Sequence, residues 1–238
     1  MAPPFTDVRI EPVGPRIRVL FGGKFVVDTS QAQRVWEHPY YPFYYFRSED
    51  LAGSYLRPAD SPEVVEGQKA IFDLVVGDRV AKRAVTKFAT GDVKDLVKIE
   101  FGAADAWFEE EEEIFVHPKD PYKASCSSRV DVLQSSKHVV VKVDGVEVAN
   151  THQPRLLFET SLRGTANYYS VRLPNGQLAE DVVWWYRNPV LECGAIKGYV
   201  AFYDEKVDVW VDGVKQASPG YTIQQGNAIN TPPEKELR

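Results

Sequence analysis

Two stretches of the chain repeat each other at a constant spacing, and this duplication restricts the folds that the chain can adopt. Residues 15–37 align without a gap with residues 137–159, which lie 122 positions later. Self-similarity at a fixed spacing indicates that one structural unit is used twice. The identical pairs are Val19 and Val141, Gly23 and Gly145, Val26 and Val148, Thr29 and Thr151, Gln31 and Gln153, and Glu37 and Glu159.

The repeated unit has the pattern of β-hairpins. Short alternating segments flank the turn pairs Gly22-Gly23 and Asp144-Gly145, and glycine at such a turn is typical of a two-residue hairpin loop. A second match, residues 72–88 with residues 169–186, has a spacing of only about 98, so the second copy lacks roughly 24 residues. A third match aligns residues 97–107 with residues 197–207.

These patterns predict a mainly β protein with two tandem compact antiparallel units and minor helix. We expect the first unit over residues 1–122, a shortened second unit over residues 123–215, and a loosely ordered tail over residues 216–238. The seam between the copies is the Pro, Ser and Lys-rich segment 117–129. The best short helical candidates are residues 61–71 and 90–99.

Composition excludes several classes of function. The net charge is −6, with both signs spread along the chain, which argues against a nucleic-acid binder because such affinity needs clustered Lys and Arg. No apolar run reaches the roughly 20 residues that cross a bilayer, and the first residues do not resemble a signal peptide. Cys126 and Cys193 lack metal-ligand or disulfide-framework spacing. We therefore expect a cytoplasmic protein without metal or cofactor, and leave open whether it forms a homodimer.

Four motifs together carry a family resemblance. They read "LFGGKFVVDTSQAQRVWEHPYYPFYYF", "FDLVVGDR", "DAWFEEEEEIFVHPKDPY" and "VDVLQSSKHVVVKVDGVEVANT..PRLLFET". In order and spacing, residues 15–213 resemble the family called domain of unknown function 427. The resemblance implies two units of the kind described as a β-tent, and it implies no established activity.

The chain departs from the usual family pattern in both copies. The resemblance implies a Tyr-Tyr-Phe-Pro segment and a Cys-Pro-Tyr-Lys-Gly stretch after the Glu-bearing strand. Copy two keeps Gly164 and Tyr168 but lacks these elements, and copy one keeps "YYPFYYF" but has "VEGQKAIFDL" in place of the Cys-Lys stretch. Three alternatives follow: the copies share one composite site, one site has decayed, or the second copy is truncated.

Glu37 is the first candidate for catalysis, because it follows Val35-Trp36 and precedes a proline-bounded turn rich in tyrosine. Burial among rings disfavours the charged form of a carboxylate, which suits a general acid or base near neutral pH. Tyr41 and Tyr45 could supply a hydroxyl. The alternative role of a repeated Glu is to accept main-chain N–H bonds at a turn.

Strand alternation predicts that Tyr41, Phe43 and Tyr45 face one side and that Tyr40, Tyr44 and Phe46 face the other. One set can fill the core while the other lines a pocket. The glutamates from Glu109 to Glu113 are interpreted as a solvated edge. The candidate substrate-binding residues, for which packing is the alternative, are Trp36, His38, Tyr40, Tyr44, Trp107, Glu159, Tyr168, Trp184 and Tyr186.

These residues favour a cofactor-independent enzyme that acts on a small organic molecule, such as a secondary metabolite, by acid–base chemistry. A carboxylate and a phenol can catalyse isomerisation, cyclisation, elimination or hydrolysis without a metal. The hypothesis therefore covers a metal-free isomerase, cyclase, lyase or hydrolase of a biosynthetic route. The alternative is a non-catalytic scaffold that presents aromatic grooves to a small molecule or a protein.

Overall fold

The computed structural model describes residues 8–37, 41–60, 69–118, 130–159 and 165–217. These residues form antiparallel sheets with a little helix, which confirms the predicted mainly β class. The strands are β1 (Arg9–Pro12), β2 (Ile17–Phe21), β3 (Lys24–Thr29), β4 (Gln33–Trp36), β5 (Phe43–Arg47), β6 (Leu56–Pro58), β7 (Lys69–Val76), β8 (Arg79–Phe88), β9 (Leu96–Ile99), β10 (Ala106–Glu109), β11 (Glu112–Ile114), β12 (Val130–Gln134), β13 (Val139–Val143), β14 (Val146–Thr151), β15 (Arg155–Glu159), β16 (Asn167–Arg172), β17 (Leu178–Trp185), β18 (Ala201–Phe202), β19 (Asp208–Val211) and β20 (Val214–Lys215).

Helical structure is limited to short 3₁₀ segments at Ser48–Asp50, Gly53–Tyr55, Phe101–Ala103 and Leu191–Ile196 in the described ranges. The helix expected over residues 90–99 was wrong, because Leu96–Ile99 pairs with the strands on both sides of it. Of the other candidate, residues 61–68 lie outside the described residues, and residues 69–71 begin β7. No helix of the described residues is long and apolar enough to cross a membrane.

Contacts group the chain into two compact units that do not follow the chain order. The first is formed by the described residues of Met1–Lys137, His152–Thr165 and Tyr186–Tyr199, and the second by those of His138–Thr151, Ala166–Trp185 and Val200–Arg238. The division at residues 122 and 215 stays a prediction about the copies in the sequence.

The first unit is built from a seven-stranded sheet in the order β1-β4-β5-β9-β8-β7-β6 and a four-stranded sheet in the order β11-β10-β2-β3. Side chains of both sheets form one core, in which Val19, Phe46, Val85 and Trp107 are almost fully buried. Burying apolar surface in this way is the main favourable term in folding. β12 and β15 form a separate pair that belongs to this unit.

β5 crosses the middle of the large sheet, and its side chains alternate as the sequence predicts. Tyr44 and Phe46 point into the core. Phe43 and Tyr45 therefore face the other side of the sheet, because successive side chains of a strand point to opposite faces. We call this other side the outer face.

The second unit contains a four-stranded sheet in the order β14-β13-β19-β20 and a three-stranded sheet in the order β16-β17-β18. Its core is small, with Val143, Leu173, Val182 and Val183 buried. In copy two, residues 160–166 alone connect β15 to β16, whereas residues 37–68 separate β4 from β7. Among the described residues, copy two has no counterpart of β5.

Strand registers reproduce the sequence repeat. Arg9 pairs with Trp36 in copy one, and Asp131 pairs with Phe158 at the corresponding place in copy two. The β2–β3 hairpin has a bulge after Val19, and the β13–β14 hairpin has one after Val141. The third match was misaligned, because strand pairing makes Ala201 the counterpart of Lys98, three positions from the predicted one.

In both copies an acidic residue closes a turn with a pair of hydrogen bonds, which we call the turn brace. In copy one Glu110 donates its N–H to the carbonyl of Arg16 at 2.8 Å, and its Oε1 accepts the N–H of Arg16 at 2.8 Å. In copy two Asp212 forms the matching pair of bonds with His138 at 2.9 and 2.8 Å. Both acids have a positive φ, 52° and 51°. These carboxylates hold a strained turn in place.

The expectation that Glu109 to Glu113 form a solvated edge was wrong for the first two residues. Glu109 is 6% exposed and Glu110 is 1% exposed. The turn after Glu109 breaks the alternation of the strand, and side chains donate hydrogen bonds to both carboxylates. The Tyr44 hydroxyl donates to Glu109, and Ser135 and Lys137 donate to Glu110 at 2.9 and 3.0 Å.

Candidate active site

Three polar side chains of the first unit meet at the outer face of the large sheet. Glu37 follows the last residue of β4, and its Oε1 accepts a hydrogen bond from the hydroxyl of Tyr45. Its Oε2 accepts a hydrogen bond from Nζ of Lys98 at 3.0 Å. We call Glu37, Tyr45 and Lys98 the polar triad.

Strand register brings the members of the polar triad together. Tyr45 of β5 lies directly opposite Lys98 of β9, so both side chains project from the same face. Val35 of β4 pairs with Phe43 of β5. This register places Glu37, two residues after Val35, at the end of the sheet beside Tyr45 and Lys98. Tyr45 is 1% exposed, the Lys98 side chain 11% and the Glu37 side chain 37%. The expected burial of Glu37 was wrong, because the residue lies just past the end of β4, where the sheet no longer covers it. Glu37 is therefore the member that a ligand can reach.

Three rings form a series of contacts that reaches the polar triad through Lys98. Tyr41 stacks on His117 with ring centroids 3.8 Å apart, and it meets Phe43 edge-on at 5.4 Å. Nζ of Lys98 lies 4.0 Å from the centroid of the Phe43 ring. We call Tyr41, Phe43 and His117 the aromatic wall. It joins Tyr41, a predicted site residue, to His117, which was not predicted.

Lys98 was also missed by sequence reasoning, although a signal for its orientation was present. In the strand sequence Leu96-Val97-Lys98-Ile99, buried Val97 and Ile99 alternate with the lysine. This alternation places Lys98 on the face opposite the core. It could not identify Glu37 as the partner, because 61 residues separate the two.

Two of the candidate substrate-binding residues lie on the core side of the large sheet. Tyr44 is buried and donates its hydroxyl to Glu109. Trp107 is buried, stacks on Phe101 with centroids 5.2 Å apart, and donates its indole N–H to the carbonyl of Phe101 at 2.9 Å. Trp36 is also buried, with the guanidinium of Arg9 over its ring.

Of the remaining candidates, two belong to the second unit and two lie outside the described residues. Tyr168 is 45% exposed and stacks on Tyr203 in the second unit, where Trp184 is half-buried on β17. Tyr186 is half-buried just after β17. His38 and Tyr40 lie outside the described residues. The backbone of Glu159 pairs with Val130, and its side chain lies outside the described part.

Asp73 is an acidic residue with a structural role at a β-bulge. It sits at the bulge between β7 and β8, 1% exposed, and accepts the N–H of Arg83 at 2.8 Å. This bond, together with Lys82 and Arg57, lowers the pKa of Asp73 to about 2, although desolvation opposes the shift. Copy two has an equivalent brace, in which Asp181 donates its N–H to Oγ of Ser170 at 3.1 Å.

The polar triad, in contrast, occurs in copy one alone among the described residues. Strand pairing makes Ala201 the counterpart of Lys98. Tyr45 lies on β5, which has no described counterpart. The structural braces are therefore duplicated and the polar triad is not. No group of His, Cys, Asp and Glu side chains in the described residues is arranged to hold a metal ion.

The fold and the site define a class: a tandem, mainly β protein whose first copy carries a Glu-Tyr-Lys cluster. The family model described as "Domain of unknown function (DUF427)" matches residues 9–109, 131–163 and 161–213. The chain belongs to this family, as the resemblance in its motifs suggested. No curated protein matches the chain.

Proposed function

We propose that this protein is a cofactor-independent acid–base enzyme that acts on a small organic molecule, with Glu37 as the catalytic base. The observation that supports the proposal most is the position of the Glu37 carboxylate. It is partly exposed, while two side chains, the Tyr45 hydroxyl and the Lys98 ammonium, hold its oxygens among the described residues. A carboxylate held in this way is oriented and can still meet a ligand.

The simplest reaction for this arrangement is proton removal from a carbon next to a carbonyl group. The C–H bond breaks, the proton moves to Glu37, and the electron pair moves into the carbonyl to give an enolate. Return of the proton to another atom is an isomerisation, and loss of a leaving group is an elimination. The hydroxyl of Tyr45 and the ammonium of Lys98 hold the carboxylate in place while it takes the proton.

The comparison between the two copies supports a functional role for the polar triad. The turn brace has an acid in both copies, Glu110 and Asp212, and the bulge brace has Asp73 in copy one and Ser170 in copy two. Glu37 itself is repeated as Glu159, but its partner Lys98 is replaced by Ala201. Among the described residues, the polar triad is therefore specific to copy one, as expected of a site that only one copy carries.

A non-catalytic scaffold is the second candidate, and one observation favours it. Tyr44 donates its hydroxyl to Glu109 inside the core, on the opposite face of the same strand. This buried pair has no access to a ligand and serves stability. The bond between Tyr45 and Glu37 could have the same purpose.

Deuterium exchange at C2 of 1-indanone in D2O, followed by proton NMR, tests the enzyme proposal. The wild type should accelerate exchange over buffer, and Glu37→Gln should remove that acceleration. Glu100→Gln is the matched control, because Glu100 also lies near Lys98, at 3.7 Å, and makes no bond to Tyr45. A purely structural role predicts no acceleration by any of the three proteins.

The wider setting of the proposal rests on the sequence. We extend the proposal to a cytoplasmic enzyme with a small-molecule partner, acting in a biosynthetic route, in line with the mixed charge pattern. Nucleic acid has no part in the proposal.

A further inference from the structure

We propose that the site around the polar triad selects substrates that carry a cationic amine and rejects carboxylates and phosphates. This inference rests on the proposed function, because it concerns the ligand of the same site. It is based on the relative exposure of the acidic and basic side chains of the site and on the aromatic rings beside them.

The acidic groups of the site lie outside its basic group. Nζ of Lys98 lies 3.0 Å from Glu37 and 3.7 Å from Glu100. The Lys98 side chain is 11% exposed, whereas those of Glu37 and Glu100 are 37% and 55% exposed. Two carboxylates and one ammonium leave a formal charge of −1. An incoming molecule therefore meets carboxylate oxygens first.

The aromatic wall provides an independent reason for a cationic ligand. Rings attract an ammonium through the negative charge of their faces. The structure already contains an ammonium held in this manner, since Nζ of Lys98 lies 4.0 Å from the Phe43 centroid. Tyr41 and His117 extend the rings beyond Phe43. Carboxylates beside ring faces form the chemical environment in which an organic amine binds well.

A ligand with a carboxylate or phosphate meets the opposite conditions. Its anion would approach Glu37 and Glu100, and like charges within a few ångströms repel each other. Lys98 offers little compensation, because its ammonium already contacts both glutamates and the Phe43 ring. Because the acidic groups lie outside the basic group, the site distinguishes between ligands that have the same apolar part and opposite charges.

Three probes with the same ring isolate the effect of charge: benzylamine, benzyl alcohol and benzoate. Saturation-transfer NMR titrations on the full chain give their relative affinities. Benzylamine should bind at least several times more tightly than benzyl alcohol, and benzoate should bind most weakly. Raising the salt concentration from about 0.05 to about 0.5 M should weaken benzylamine more than benzyl alcohol, because salt screens exposed charges.

Variants outside the polar triad locate the selectivity. Glu100→Gln should lower benzylamine affinity about two- to fivefold, the range of an exposed ion pair, with little effect on benzyl alcohol. Glu113→Gln is the control for net charge, since Glu113 is exposed on β11. Equal loss in both variants would indicate a general charge effect and would overturn the proposal.

Two other outcomes would overturn it as well: benzoate binding as tightly as benzylamine, or no binding by any of the three probes. Neither outcome decides the proposed function, which depends on whether exchange of 1-indanone requires Glu37. Conversely, benzylamine selectivity without exchange would retain the cation preference as a property of a binding site. The two proposals can therefore fail separately.

Discussion

Tyr45 donates its phenolic hydrogen to the carboxylate of Glu37, across the adjacent strands β5 and β4. On the other face of β5, Tyr44 donates to Glu109. One strand thus makes two phenol-to-carboxylate bonds. They differ in exposure, because Glu109 is 6% exposed and the Glu37 side chain is 37% exposed. This difference separates a stabilising bond from one that a ligand can reach.

Removing the two hydroxyls should have unequal effects on stability. Tyr44→Phe removes a hydroxyl donor from the buried carboxylate of Glu109, at a cost of about 2 to 3 kcal/mol of unfolding free energy. Tyr45→Phe should cost about 1 kcal/mol, since water can reach Glu37. Urea unfolding of both variants measures the difference. A larger loss for Tyr45→Phe would contradict the assignment of Glu109 as the structural partner.

Glu110 is predicted to be one of the most important acids for stability. Its carboxylate accepts bonds from the main chain of Arg16 and from Ser135 and Lys137. Glu110→Ala removes these bonds and leaves Lys137 without this partner, so the unfolding free energy should fall by about 3 to 5 kcal/mol. Glu113→Ala, at an exposed position of the same run, should change it by less than about 0.5 kcal/mol. Similar values for the two variants would disprove the buried brace.

Stability should fall in acid partly through Asp73. Its pKa is about 2 in the folded protein and 3.8 ordinarily, because the N–H of Arg83 and nearby cations favour the charged form. A depressed folded-state pKa contributes stability that is fully present above about pH 4 and is lost as the pH falls toward 2. In urea titrations, Asp73→Asn should be less stable than the wild type at pH 6, and the gap should narrow between pH 4 and 2. If the difference in unfolding free energy between the two proteins stays constant with pH, the ionisation of Asp73 is not the cause of the loss of stability in acid.

In the turn between β2 and β3, an added methyl group should be more destabilising at Gly22 than at Gly23. Gly22 has a φ of +57°, and an added Cβ would lie 2.9 Å from Cβ of Val76. Gly23 has a φ of +74°, with no atom within 4 Å of the added Cβ. Both alanine variants strain the backbone, but Gly22→Ala should lower the unfolding free energy by about 1 to 2 kcal/mol more. Equal melting temperatures would show that Val76 moves aside freely.

Much of the fold could be predicted from local patterns. Gly22-Gly23 and Asp144-Gly145 mark hairpins that the structure contains, because few residues other than glycine fit such turns. The alternation in "FYYF" separates Tyr44 from Tyr45 because strand geometry has a period of two. The repeat itself appears in matching registers.

The site could be predicted only in part. Glu37 and Tyr45 lie eight positions apart in a ring-rich stretch, whereas Lys98 reaches them through the pairing of β5 with β9, which no local pattern specifies. His117 joins Tyr41 for the same reason. The carboxylate of Glu110 is bound by Ser135 and Lys137, which lie 25 and 27 positions away, so the run of glutamates around it predicted an exposed residue.

Exchange of 1-indanone in D2O by the wild type, Glu37→Gln and Glu100→Gln is the most direct test of the central claim. If Glu37 is the base, the wild type and Glu100→Gln accelerate exchange, and Glu37→Gln remains folded but loses the acceleration. If folded Glu37→Gln accelerates exchange as fast as the wild type, the carboxylate is not the base and the polar triad is a structural cluster.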